Sequence, residues 1–306
     1  MNRKFLLSII FSVTLLNLCQ AQQDPLYSQY MFNMLGVNPA YAGNRDVLSV
    51  TGLYRLQWVG VPGAPVTQMI SIDSPLPNKK VGLGLQILND EIGINKTTGV
   101  YGSYSYKLKF NKGTLALGIQ GGFTRFYANY QTLQLSGSQV DNAFNQTLDD
   151  FQPNIGAGAF YSTDRFYVGF SSPHILGQGT FYSESNVSKD LSRQNAHWFL
   201  ASGYVFSVSP AVDLKPSALI RMVQGSPINV DVNLNAWFYR TIGLGASVRS
   251  SSIISSMLEI QLNNQFRVGY AYDWTLSELR NSGSHEIMLR YEFGYEKKRM
   301  ISPRFF

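Results

Sequence analysis

From Val47 onward the chain alternates, position by position, between apolar side chains and small or polar ones. The clearest stretch sets Ile254, Ser256, Leu258, Ile260 and Leu262 against Ser255, Met257, Glu259 and Gln261. Phe266, Val268, Tyr270, Tyr272 and Trp274 then oppose Arg267, Gly269, Ala271 and Asp273, and Ile287, Leu289, Tyr291 and Phe293 oppose Glu286, Met288, Arg290 and Glu292. Successive side chains of a strand point to opposite faces, so each stretch predicts a strand with one apolar face and one small or charged face. The same period runs through residues 81–87, 100–110, 115–123, 228–238 and 242–248. Compact turn signals separate many of these strands: Asn111-Lys112-Gly113, Thr163-Asp164-Arg165, Ser209-Pro210, Gly225-Ser226-Pro227 and Asn263-Asn264-Gln265. Longer polar stretches, Asn129 to Asp150 and Gly177 to Gln194, fall between other pairs.

Two architectures share this alternation, a soluble sandwich and a transmembrane barrel. A sandwich solvates its outer face and fills it with Lys, Glu and Thr. Here the non-apolar face carries Gly82 and Gly84, Gly118 and Gly122, Gly156 and Gly158, Gly243 and Gly245, which suits a crowded or water-filled lumen. Trp58, Trp198, Trp237 and Trp274 lie near strand ends, where a barrel has its interfacial girdles. Composition favours the same answer. Only 14% of the 306 residues are charged and 44% are hydrophobic, yet mean hydropathy is -0.08. A soluble domain averages roughly 25% charged residues. The 18 Tyr, 19 Phe and 4 Trp exclude disorder, and apart from the N-terminus no apolar run approaches the roughly 20 residues of a membrane helix. The expected fold is all-β, a transmembrane outer-membrane β-barrel of about 14 antiparallel strands over residues 47–296. An even strand number places both termini on the periplasmic side. A non-strand plug or cap over residues 22–46 precedes the barrel, and a tail over residues 297–306 follows it.

Residues 1–21 read as an export signal: Arg3 and Lys4, an apolar stretch from Phe5 to Leu18, then Cys19-Gln20-Ala21, with cleavage expected after Ala21. Cys19 also raises a lipoprotein signal, but Leu18 stands where that signal needs a small residue. Cleavage after Ala21 removes the single cysteine, leaving no thiol for a disulfide, a nucleophile or a metal. It also takes the 25 basic residues to 23 against 19 acidic ones, a surplus of only +4. With no basic block longer than Lys297-Lys298-Arg299, nucleic acid is not an expected partner.

Little of the sequence carries chemistry. His174, His197 and His285 lie on different predicted strands without metal-ligand spacing. The Gly-x-Gly pairs sit inside strands with no helix after them, so they are not phosphate loops. Ser284 and His285 point to opposite faces of one strand, which argues against a hydrolase. Asn95-Lys96-Thr97, Asn145-Gln146-Thr147 and Asn186-Val187-Ser188 match the glycosylation sequon by chance. No enzyme activity, cofactor, metal or small-molecule substrate is expected. Two sets of candidates remain. Arg55, Asp73, Glu259, Arg267, Asp273 and Arg290 are candidate lumenal charges, either lining a channel or pairing across a closed interior. Tyr27, Tyr30, Phe32, Asn38, Pro39 and Tyr41 form an aromatic segment outside any strand, whose rings must be buried in the lumen or on a partner.

That segment also carries a resemblance. The run Gln23-Asp24-Pro25-x-Tyr27-Ser28-Gln29-Tyr30-Met31-Phe32-Asn33, followed by Asn38-Pro39-Ala40-Tyr41-Ala42-Gly43, closely resembles the start of the PorP/SprF family of type IX secretion proteins of Bacteroidota. Further matches are Tyr54-Arg55-x-Gln57-Trp58-x-Gly60, Gly63-Ala64-Pro65, Ser71-x-Asp73-x-Pro75-Leu76, Gly283-Ser284-His285-Glu286 and the tail Ser302-Pro303-Arg304-Phe305-Phe306. The resemblance implies a non-enzymatic outer-membrane barrel that supports export or surface attachment of specific secreted proteins, such as the large adhesins of gliding motility. The implied partners are a cargo protein engaged through its C-terminal sorting domain, other type IX secretion components and outer-membrane lipid. The outer loops 129–150 and 177–194 are the expected cargo contacts, with the N-terminal segment and the tail on the periplasmic side. The alternatives are a core component needed for all cargo and a passive pore.

Overall fold

The computed structural model describes residues 27–130, 147–176, 196–223, 226–276 and 281–294. Among these, the alternating stretches form fifteen antiparallel strand segments. They are β1 (Leu48–Leu56), β2 (Val66–Pro75), β3 (Val81–Ile92), β4 (Asn95–Phe110), β5 (Gly113–Asn129), β6 (Thr147–Ser162), β7 (Phe166–His174) and β8 (His197–Tyr204). Then come β9 (Phe206–Ser209), β10 (Val212–Val223), β11 (Asn229–Phe238), β12 (Ile242–Arg249), β13 (Ile253–Gln261), β14 (Phe266–Thr275) and β15 (Ser284–Phe293). β8 and β9 both pair with β10 and are separated only by Val205, so they make one stave. β10 bonds β8 on one side and β11 on the other, and β1 bonds both β2 and β15. The sheet therefore closes into a 14-stave barrel with no free edge, as a chain that satisfies its backbone inside lipid must.

The pleat sorts side chains as the alternation predicts. In β13, Ser255, Met257 and Glu259 are buried while Ile254 and Leu258 face out. In β15, Ser284, Glu286, Met288 and Arg290 are buried and Ile287, Leu289 and Tyr291 are exposed. The outer surface is a near-continuous coat of Leu, Ile, Val, Phe and Tyr, including Ile119, Phe151, Val232 and Val248. In water such a coat would be an aggregation surface; in hydrocarbon it is the solvated face.

The two mouths differ. At one, connections are tight: residues 76–80, 111–112, 163–165, 210–211, 239–241 and 262–265. Asx turns set two of them. Asn78 Oδ1 accepts from Lys80 N and Val81 N, and Asn263 Oδ1 accepts from Gln265 N and Phe266 N. Leu48, the first residue of β1, faces Phe293, the last of β15, at this mouth. The other mouth has connections over 57–65, 130–146, 175–196 and 276–283, as well as shorter ones. The expected contact loops lie mostly outside the described residues, as do Asn145-Gln146, Asn186-Val187-Ser188 and the tail. Asn95-Lys96-Thr97 opens β4.

One expectation about the girdles is corrected. Trp198 and Trp274 face outward, but Trp237 is buried inside, its indole against Gly243 with Lys215 Nζ and Arg267 Cζ each 4.8 Å from its ring centre. The pleat decides: Trp237 shares a face with Asn233 and Asn235, and the missing side chain at Gly243 makes room for the ring.

Candidate functional site

Residues 27–46 occupy the lumen. Three 3-10 turns, Tyr30–Phe32, Met34–Gly36 and Pro39–Tyr41, compact the segment. Tyr30, Phe32, Met34, Leu35, Ala40 and Tyr41 are all at most 5% exposed, within the range of the inward-facing strand residues. The third turn follows from its sequence. Asn38 is its N-cap, with Oδ1 accepting from Ala40 N at 2.9 Å, and Pro39 supplies a preset φ at the first position. Asn38 Nδ2 also donates to the Ala159 carbonyl of β6 at 3.0 Å, fixing the turn to the wall. The Tyr41 ring meets Phe160 edge-on at 5.4 Å.

The wall is cut to fit this segment. A side chain at Gly82 would strike the Ala42 carbonyl, one at Gly118 the Pro39–Ala40 backbone, and one at Gly158 Asn38 Oδ1. At Gly84 it would press on the Leu35 methyls at 3.0 Å. These glycines serve close approach of two backbones. Hydroxyls and amides on the wall complete the fit: Ser105 Oγ donates to Ala42 O, Ser171 Oγ to Val37 O, Asn33 Nδ2 to Ser71 Oγ, and Asn233 Nδ2 to Tyr30 OH.

Two charged clusters hold the segment's ends. Arg55 Nη2 lies 2.6 Å from Asp273 Oδ2 and Nη1 lies 2.8 Å from Glu286 Oε2, with all three side chains at most 2% exposed. The same two carboxylates receive the segment. Glu286 accepts from Ser28 N at 3.0 Å and Gln29 N at 2.8 Å, and Asp273 accepts from Ser28 Oγ at 2.7 Å. Four stretches far apart in sequence thus meet, through Ser28 and Gln29, Arg55, Asp273 and Glu286. The second cluster is near the tight-turn mouth. Asp73 Oδ2 accepts from Gly43 N at 2.9 Å, Lys107 Nζ donates to Gly43 O, and Arg45 Nη1 pairs with Glu292 Oε1 at 2.9 Å.

Of the remaining candidate charges, Arg267 faces Glu259 at 3.7 Å and bonds Gln261 Oε1 at 2.6 Å, and Arg290 Nε donates to Thr51 Oγ1 at 3.1 Å. Arg267 and Arg290 are cross-strand partners, so two like charges lie side by side and need the acidic groups around them. Sequence reasoning missed Ser28, Gln29, Arg45, Glu286 and Glu292 as members of these clusters. Glu286 and Glu292 were legible as inward positions of β15, but pairing with a segment some 250 residues away leaves no local trace. His174 and His197 face each other across β7 and β8, with ring centres 6.4 Å apart. Among the described residues no group of three or more His, Cys, Asp or Glu could hold a metal.

A closed barrel, apolar outside and filled by its own N-terminal segment, defines an outer-membrane protein with an internal plug. The chain belongs to the family described as type IX secretion system membrane protein PorP/SprF, whose profile matches residues 19–291. It is an outer-membrane component of that system. Comparison with curated proteins finds no match. Among solved structures the chain is similar to the Acinetobacter baumannii outer membrane protein Omp33, with TM-score 0.48 and 9% identity over 81% of this chain and 98% of that one. It is similar also to the Ralstonia pickettii toluene transporter TbuX, with TM-score 0.48 and 9% identity over 86% of this chain and 92% of that one. A KdgM porin matches with TM-score 0.37 and 11% identity over 80% and 99%.

Proposed function

We propose that this barrel is a non-enzymatic component that supports export or surface attachment of specific secreted proteins, engaging a cargo's C-terminal sorting domain. The observation that carries the reading is the filled lumen: residues 30–42 are packed against the wall with hardly a side chain accessible, so the barrel acts by docking rather than by conducting. Two of the candidate charges support the same view. Arg55 and Asp273 pair with one another, Arg55 also pairs with Glu286, and both carboxylates bond the plug, as the closed-interior alternative to a channel requires. In this reading the signal is cleaved after Ala21, the long-loop mouth faces the cell surface and receives cargo, and the tail after β15 faces the periplasm and other secretion components. Large adhesins of gliding motility are the proposed cargo class.

Deleting the gene and comparing the surface and culture-fluid proteomes tests this. The expected result is loss of one or a few large surface proteins with the remaining type IX cargo intact. Loss of the whole set assigns a core role instead, and an unchanged set overturns both.

A further inference from the structure

The lumenal segment has a direction. Its first described residues, Tyr27 to Gln29, are held by Arg55, Asp273 and Glu286. Arg55 is one residue from the end of β1, Asp273 two from the end of β14, and Glu286 two from the start of β15. All three therefore sit at the long-loop mouth, beside connections 57–65 and 276–283. Tyr30 and Asn33 bond Asn233 and Ser71, at mid-height of β11 and β2. Gly43 and Arg45 bond Asp73 and Glu292 at the tight-turn mouth, and Leu48 starts β1 there. Asp73 is the register partner of Ser49, six positions from Arg55 along β1, so the segment runs roughly 20 Å along the strand direction, a descent of roughly 15 Å in a barrel whose strands tilt by about 40°.

We infer that the mature N-terminus opens at the long-loop mouth, opposite the C-terminal tail, so the segment is a strap drawn through the lumen rather than a cap on the periplasmic mouth. If cleavage follows Ala21, only residues 22–26 precede Tyr27. Five residues reach at most about 18 Å even when fully extended, and the way back down is taken up by the buried residues 30–42, so the end of the chain stays at the mouth where Tyr27 lies. An even strand number puts both ends of the barrel wall at one mouth; the strap carries the N-terminus to the other. In the orientation proposed above, this presents the N-terminus at the cell surface among the cargo-facing loops, and no periplasmic partner can grip it. The inference rests on that orientation only for the choice of mouth.

The single cysteine of the sequence, Cys19, precedes the expected cleavage site, which permits a direct test. Gln23→Cys and Arg304→Cys, each in the full-length protein, are treated in intact cells with a membrane-impermeant maleimide, and again after permeabilisation. Folding of each variant is verified by its heat-modifiable migration on gels. The expected result is labelling of Gln23→Cys in intact cells and of Arg304→Cys only after permeabilisation. The opposite pattern keeps the strap, because the two ends still lie on opposite sides, and overturns the orientation. Both variants reacting in intact cells, or both only after permeabilisation, overturns the strap.

Discussion

Arg55 and Asp273 lie 2.6 Å apart with almost no solvent access, and Asp273 also takes the Ser28 hydroxyl at 2.7 Å. One ion pair is thus both a part of the wall and the anchor of the strap. Glu286 completes it from the next strand, so a single guanidinium balances two buried carboxylates.

Removing that guanidinium leaves both carboxylates buried without a cation. Arg55→Met should cost about 3–5 kcal/mol, the usual penalty for breaking a buried pair from one side. The triple variant Arg55→Met, Asp273→Asn, Glu286→Gln should recover much of the loss, since no charge is then stranded. The midpoint of heat-induced mobility change on gels, with the three single variants alongside, measures this. A single variant as heat-resistant as wild type would show that the cluster does not hold the strap.

The Gly118 site makes the opposite test, of added volume. A methyl there meets the backbone of Pro39 and Ala40, which cannot swing aside as a side chain could. Gly118→Ala should destabilise by about 1–3 kcal/mol. Gly102→Ala is the control: it faces outward, and its nearest neighbour, Gly121 O, would be 3.8 Å away. Equal midpoints for the two variants would contradict the close packing of strap on wall.

In planar bilayers the wild-type barrel should show no stable open level, because residues 30–42 lie buried across the lumen and are tied to the wall near both mouths. Loosening both ends at once with Arg55→Met and Arg45→Met should raise the frequency of open events. A steady conductance from the wild-type protein would favour the passive pore instead.

Trp237 offers a spectroscopic check on the inward face. With the other three tryptophans changed to Phe, its fluorescence should resist quenching by brominated acyl chains. A variant keeping only Trp274, which is 47% exposed on the lipid face, should be strongly quenched. Comparable quenching of the two would place Trp237 in the girdle after all.

The barrel was legible because its signal is local: alternation in β13, β14 and β15 assigns each side chain a face before any partner is known. The inward glycines were legible as a feature, but not their reason. Nothing near Gly118 or Gly158 says that Pro39, Ala40 or Asn38 will lie against them. The strap's aromatic content announced burial, whereas its direction depends on which wall charges it meets. Ser28 with Glu286 and Arg45 with Glu292 are contacts between the two ends of the chain. Trp237 departs from the girdle expectation because aromatic residues near strand ends suit a girdle and a lumen equally, and only the register opposite Gly243 decides.

The strap bonds Asp73 on the second stave and also Asp273, Glu286 and Glu292 on the last two, so it bridges the seam where β1 meets β15. Arg55 on β1 and Glu286 on β15 pair across that seam, and both also hold Ser28, so the bonds that close the wall and the bonds that seat the strap are in part the same ones.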